Sequence, residues 1–100
     1  MTLEIKTRNG RLSDWFPVTY CQYYDEYKSA YIYFDIKSER VRERLRIMLG
    51  AGETAVGALR CENKNWYVET KNTHRHLDKP FLFGEVLDSN GEFSQFLLHP

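Results

Sequence analysis

The chain has 100 residues, in which 14 lysines and arginines balance 14 aspartates and glutamates. This length predicts one compact domain over residues 1–100, and 42% hydrophobic residues at zero net charge argue against disorder. The charge balance also argues against a protein that coats nucleic acid through bulk charge, and no run of about 18 apolar residues is present to cross a membrane.

The first half of the chain predicts three strands. Alternating apolar and polar residues predict a half-buried strand over 3–8, and Asn9-Gly10 is a hairpin signal before a second strand over 11–20. Pro17 lacks a backbone N–H, so we expect the second strand at a sheet edge or with a bulge. A turn is predicted over 22–27.

The third strand, over 29–36, alternates most clearly. One of its faces is wholly apolar and should join the core. The opposite face carries Tyr31, Tyr33 and Asp35, which we expect to display tyrosine rings to solvent.

A helix is predicted over 39–49. Ser38 is a good N-cap, Glu39 suits the positive end of the helix dipole, and Gly50 is suited to end the helix. Its apolar stripe is expected to pack on the sheet and consists of Val41, Leu45, Met48 and Leu49.

The second half predicts further β-structure, with strands over 54–61, 65–70, 81–87 and 92–98. A polar loop is expected over 71–80. The strand over 81–87 is apolar on both faces, so we expect it to be covered on each side, with Gly84 allowing a bulge or close contact with the helix.

The predicted fold class is therefore α+β: a single domain with a mainly antiparallel sheet of six or seven strands and one amphipathic helix packed on it. The connection through the helix fits either a right-handed βαβ crossover or a simple antiparallel return.

The cysteines and the N-terminal sequence predict a cytoplasmic protein. Cys21 and Cys61 are the only two cysteines, and the first twenty residues lack the apolar stretch of a secretory signal. We expect two reduced and mostly buried thiols.

Histidines are the candidates for metal or acid–base chemistry. His74 and His76 would share one side of an extended segment, with Cys61, Asp78 or His99 as a third metal ligand or His99 as a further acid or base. A second ligand pair at zinc-site spacing is missing, and neither cysteine has a nucleophile motif around it. We therefore expect solvated histidines, with no catalytic residue, metal or cofactor, and keep a small hydrolase or nuclease as an alternative.

The helix is rich in cations and offers a second surface. Its exposed arginines would contact phosphates of RNA or DNA, or an acidic partner, with Trp66 or a tyrosine stacking on a base. Pairing with Glu39 and Glu43 would instead make a merely solvated face. The candidate contacts are Arg40, Arg42, Arg44 and Arg46.

Aromatic residues crowd the first third of the chain. Phe34, Trp15 and Phe16 are expected inside, which leaves several tyrosines at the surface, where tyrosine suits protein contacts. Interleaved acids disfavour a nucleic-acid backbone there. The predicted protein-binding residues are Tyr23, Tyr24, Asp25, Glu26, Tyr27, Tyr31, Tyr33 and Asp35.

The leading functional hypothesis is a small non-catalytic protein-binding module that acts as a monomer or homodimer on a larger protein or ribonucleoprotein complex. A neutral, aromatic-rich domain of this size without a motif is similar to many small phage and mobile-element proteins that occlude a host defence or nucleic-acid-processing complex. Immunity proteins that block a toxin are similar in size. The first alternative is an RNA- or DNA-binding domain that uses the arginine-rich helix.

Overall fold

The computed structural model describes residues 1–6, 10–48, 59–63, 65–75, 82–87 and 93–99. These residues form a seven-stranded antiparallel sheet with one short helix, which confirms the predicted class at that level. In chain order the elements are β1 (Thr2–Lys6), β2 (Phe16–Tyr24), β3 (Ser29–Phe34), α1 (Glu39–Met48), β4 (Leu59–Glu62), β5 (Asn65–Arg75), β6 (Leu82–Leu87) and β7 (Phe93–His99).

Six of the strands pair in a closed ring. The order β1–β2–β3–β5–β6–β7 returns to β1, and every pairing is antiparallel. The length of β5 makes this closure possible: its first half pairs with β3 and β4, and its second half pairs with β6. The carbonyl of Lys28 accepts a hydrogen bond from the Thr73 N–H at 2.8 Å, so β3 and β6 lie on opposite edges of β5.

The connection through α1 is a crossover. β3 and β4 are both antiparallel to β5 and flank its first half, so they run in the same direction. This arrangement excludes the simple antiparallel return that the sequence left open.

The core lies inside the ring, where one face of each ring strand meets the others. Leu45 of α1 is buried in this core and Val41 packs against it, while the Ser38 hydroxyl accepts the Val41 N–H at 3.2 Å as the predicted N-cap. Leu49 and Gly50 lie outside the described residues. The buried apolar residues are Leu3, Ile5, Phe16, Ala30, Ile32, Phe34, Leu45, Val68, Leu82, Val86, Phe96 and Leu98.

The second strand differs from its predicted bounds. It begins at Phe16 rather than residue 11, because the Ser13 hydroxyl accepts the Ile5 N–H at 2.8 Å and takes the place of a regular ladder there. It also continues through the predicted turn to Tyr24, and the turn falls at 25–28. β2 lies between β1 and β3, and the bulge between Val18 and Tyr20 confirms the expectation of an edge position or a bulge.

The predicted loop over 71–80 is wrong for its first five residues, which continue β5. Their pairing with β6 is interrupted by a bulge, where Asn72 has a φ of 48°. Gly84 faces this bulge: a Cβ at Gly84 would lie 2.9 Å from the Asn72 oxygen and the Thr73 Cα. The close contact of Gly84 is therefore with β5 and not with the helix.

The strand predicted to be covered on both faces alternates instead. Leu82 and Val86 of β6 are buried, whereas Phe83 is exposed. The strand predicted over 54–61 appears as β4, and residues 54–58 lie outside the described part of the chain.

Candidate functional site

The outer surface of β2, β3 and β5 carries a row of tyrosines. The apolar residues of β3 enter the core, so Tyr31 and Tyr33 point outward, as the alternation predicts. The strand register then places Tyr33 between Tyr20 of β2 and Tyr67 of β5.

These rings form one unbroken series of contacts. Tyr33 and Tyr67 stack with centroids 4.9 Å apart, and Tyr31 meets Tyr24 edge-on at 5.9 Å. The remaining centroid distances are 5.9 Å for Tyr20–Tyr33, 6.2 Å for Tyr31–Tyr67 and 6.5 Å for Tyr24–Tyr27. We call this surface the tyrosine face; it consists of Tyr20, Tyr24, Tyr27, Tyr31, Tyr33 and Tyr67.

The tyrosine face is open to solvent. Tyr27 is 75% exposed and Tyr20 is 56% exposed, and the other four tyrosines are half-buried. Five of the six tyrosines lie on paired antiparallel strands, and Tyr27 lies in the turn after β2. The surface therefore presents a large aromatic area mainly from the sheet.

Two carboxylates border the tyrosine face. Glu69 accepts a hydrogen bond from the Tyr31 hydroxyl at 3.4 Å and lies 3.6 Å from the Arg60 guanidinium. The negative charge of Glu69 is the main cause that raises the pKa of Tyr31 above its usual value. Burial, followed by the charge of Glu62, raises the pKa of Tyr33. Glu69 and Glu62 therefore disfavour the phenolates of this face, and Arg60 opposes this effect at Tyr31.

Other residues predicted for this surface are arranged differently. Tyr23 lies on the opposite side of β2, where its ring packs against the core and its hydroxyl lies 3.2 Å from the Asp25 carboxylate and 3.4 Å from the Thr73 carbonyl. Asp25 pairs with Lys28 at 2.8 Å, which lowers the pKa of the Asp25 carboxyl. Glu26 and Asp35 are exposed in the turn after β2 and just after β3. Tyr23 therefore does not share the tyrosine face.

Sequence reasoning missed Tyr67 as a member of the surface. The segment 65–70 alternates and places Tyr67 and Glu69 on one face, which was a usable signal. Pairing of this strand with β3, however, joins residues more than thirty positions apart, and no local pattern specifies that partner.

Two of the four arginines of α1 form ion pairs within the described part of the chain. Arg42 contacts Glu39 at 2.9 Å, and Arg44 contacts Asp14 at 2.9 Å. Arg40 is exposed, and the Arg46 side chain lies outside the described part of the structure. The Arg42–Glu39 pair is of the kind expected for a solvated face.

His74 and His99, the two histidines in the described part of the chain, lie on different strands and contact different aromatic rings. His74 is exposed on β5 with its ring 5.5 Å from Phe83, whereas His99 on β7 stacks against Trp15. His76 and Asp78 lie outside the described residues. Among the residues that are described, no group of three or more His, Cys, Asp or Glu side chains is placed to hold a metal ion.

Both cysteines are free thiols. Cys61 is exposed on β4, contrary to the expectation that both would be mostly buried. Partial burial raises the pKa of the Cys21 thiol, which disfavours the reactive thiolate.

Comparisons with protein-family models, curated proteins and solved structures find no match to this chain. Within the described ranges, no helix has the length and apolar character needed to cross a membrane.

Proposed function

We propose that this protein is a non-catalytic protein-binding domain and that the tyrosine face is its contact surface. The observation that supports this is the unbroken series of ring contacts from Tyr20 to Tyr27 across β2, β3 and β5. Tyrosine is enriched at the energetic centres of protein interfaces because its large ring loses little conformational entropy and its hydroxyl tolerates water.

A protein partner suits this surface better than a nucleic acid does. Glu62 and Glu69 would repel phosphates near the rings, and Arg60 is already close to Glu69. Two of the helix arginines that would bind phosphate are paired with Glu39 and Asp14. The charges therefore favour a polypeptide over a phosphate backbone.

Occlusion of a larger complex is the form of binding that we favour. A row of rings on a closed ring of strands covers a partner's surface without needing a reaction, which suits an inhibitor of a host defence or nucleic-acid-processing complex or a toxin-blocking immunity protein. Loss of the partner's activity on binding is the property that distinguishes this role from simple anchoring.

The test is affinity purification from cells of the organism that encodes the chain. Replacing Tyr33 and Tyr67 together by alanine removes the stacked pair at the centre of the face and should weaken capture of the partner about 30-fold or more, as for an interface hot spot. Phe83→Ala, which removes an exposed aromatic ring from β6, is the matched control and should leave capture unchanged.

Folding of both variants is checked by circular dichroism. A partner that the folded double variant captures as well as the unaltered chain does would refute the proposed function. Measuring the purified partner's own activity with and without this protein tests the occluding role separately.

A further inference from the structure

We infer that the partner presents an arginine to the tyrosine face, with its guanidinium stacked on the rings and paired with the carboxylate of Glu69. This inference rests on the proposed function and adds the chemical class of the partner segment.

The aromatic part of the site supplies the stacking surface. Tyr33 and Tyr67 are 4.9 Å apart with 28° between their planes, and Tyr31 lies 6.2 Å from Tyr67. A cation within about 6 Å of such ring centres is attracted by the ring quadrupole. A planar guanidinium also stacks on rings, which an ammonium group does not. The geometry therefore favours arginine over lysine.

The carboxylates supply the charge. Glu69 lies 3.6 Å from the Arg60 guanidinium, longer than a good charge-assisted hydrogen bond, and both side chains are more than one-third exposed. A carboxylate has about four acceptor positions, so Glu69 retains acceptors after its contacts with Tyr31 and Arg60. Glu62 on β4 adds a second negative charge that acts on the Tyr33 phenol.

The same carboxylates act on the phenols. Glu69 is the main cause that raises the pKa of Tyr31, against an opposing effect of Arg60, and Glu62 raises the pKa of Tyr33 after burial. The negative charge of Glu69 that disfavours the Tyr31 phenolate attracts a cation for the same electrostatic reason. An acidic partner segment would meet repulsion instead.

The experiment is an NMR titration of the full chain with three short peptides. They are acetyl-Gly-Arg-Gly-Arg-Gly-amide, its lysine counterpart and its citrulline counterpart, which keeps the shape of arginine without the charge. We expect saturable shifts at the amides of Tyr31, Tyr33 and Tyr67 with the arginine peptide, about threefold weaker binding of the lysine peptide, and no saturable shift with citrulline.

Matched carboxylate variants show which side chains contribute to binding of the arginine peptide. Glu62→Gln with Glu69→Gln should weaken the arginine peptide about fivefold or more, whereas Glu85→Gln on β6 should leave it unchanged. Equal binding of the citrulline peptide, or no saturable shift with the arginine peptide at about 5 mM, overturns the inference. Tighter binding of a single-stranded oligothymidylate at the same amides also overturns it.

The captured partner separates this inference from the proposed function. If the tyrosine double variant loses the partner while the glutamine double variant binds it with unchanged affinity and salt dependence, the arginine inference fails and the proposed function stands. If the tyrosine double variant keeps the partner, the proposed function fails and the inference fails with it.

Discussion

Two regions of the molecule carry aromatic rings on the outside of the sheet, and the rings make different contacts in each region. On β1 and β7, Trp15 covers Glu4: its indole N–H donates to the carboxylate at 2.7 Å, and its ring stacks on His99 at 4.7 Å with only 2° between the planes. Trp15 is 59% exposed, but Glu4 beneath it is only 9% exposed. On the tyrosine face the rings mainly contact one another, and the Tyr31–Glu69 hydrogen bond is long, at 3.4 Å.

This difference shows that exposure alone does not identify a binding surface. Trp15 is exposed because it covers Glu4, and its indole N–H donates the hydrogen bond that this buried carboxylate requires. The tyrosine face covers no comparable buried charge among the described residues, so its rings are exposed without such a covering role. The contacts made beneath a ring are what separate the two cases.

The largest expected effect is a loss of stability from a substitution in β6. This strand lies between β5 of the tyrosine face and β7 beside Trp15. Gly84→Ala would place a Cβ 2.9 Å from the backbone of Asn72 and Thr73, and backbone atoms cannot move aside as a flexible side chain can. We expect a loss of about 3 kcal/mol in the free energy of unfolding, measured by urea denaturation. Gly10→Ala is an informative second variant, since a Cβ at Gly10 meets nothing within 4 Å and only its φ of 89° opposes the substitution. A Gly84→Ala protein as stable as the unaltered chain would show that the bulge is not packed as described.

The next prediction compares the stability lost when one polar group is removed from each region. Trp15→Phe keeps a ring but removes the N–H that Glu4 accepts, so we expect a loss of about 1.5 kcal/mol in unfolding free energy. Tyr33→Phe removes a hydroxyl from the tyrosine face, where Tyr33 makes ring contacts, and should change stability by less than about 0.5 kcal/mol. Equal losses of unfolding free energy in the two variants would contradict the distinction between Trp15, which covers Glu4, and the exposed rings of the tyrosine face.

Features that depend only on neighbouring residues could be predicted from the sequence. Alternation in β3 correctly places Ile32 inside and Tyr31 outside, because a strand's own pleat decides which side each residue faces. Ser38 is likewise correct as an N-cap, since capping depends only on its next three residues.

Features that depend on a distant partner could not be predicted in this way. Tyr67 joins the tyrosine face only because β5 pairs with β3, and Trp15, expected inside, lies on the surface because Glu4 of β1 offers it a hydrogen bond. The extension of β5 through His74 depends on a bulge that Gly84 accommodates from another strand. Each of these contacts joins residues that are separated by ten or more positions.

The smallest expected effect concerns the titration of the tyrosine face. Glu69→Gln removes the main cause of the raised pKa of Tyr31, so that pKa should fall toward the usual phenol value of 10.0. The pKa of Tyr33 should stay raised, because its causes are burial and then Glu62. NMR of ring-labelled tyrosine across alkaline pH measures each phenol separately, with Glu85→Gln as the control.

The same titration fixes the sign of an alkaline effect on stability. A phenol whose pKa is raised in the folded state holds its proton more tightly there, so its contribution is fully present below the unfolded pKa near 10.0 and is lost as pH rises through the folded value. The contribution of these two phenols to the unfolding free energy should therefore decline with rising pH above about 10, and less steeply in Glu69→Gln. An identical decline in both proteins would mean that Glu69 does not act on Tyr31, and the inferred pairing of Glu69 with a partner's arginine would lose part of its support.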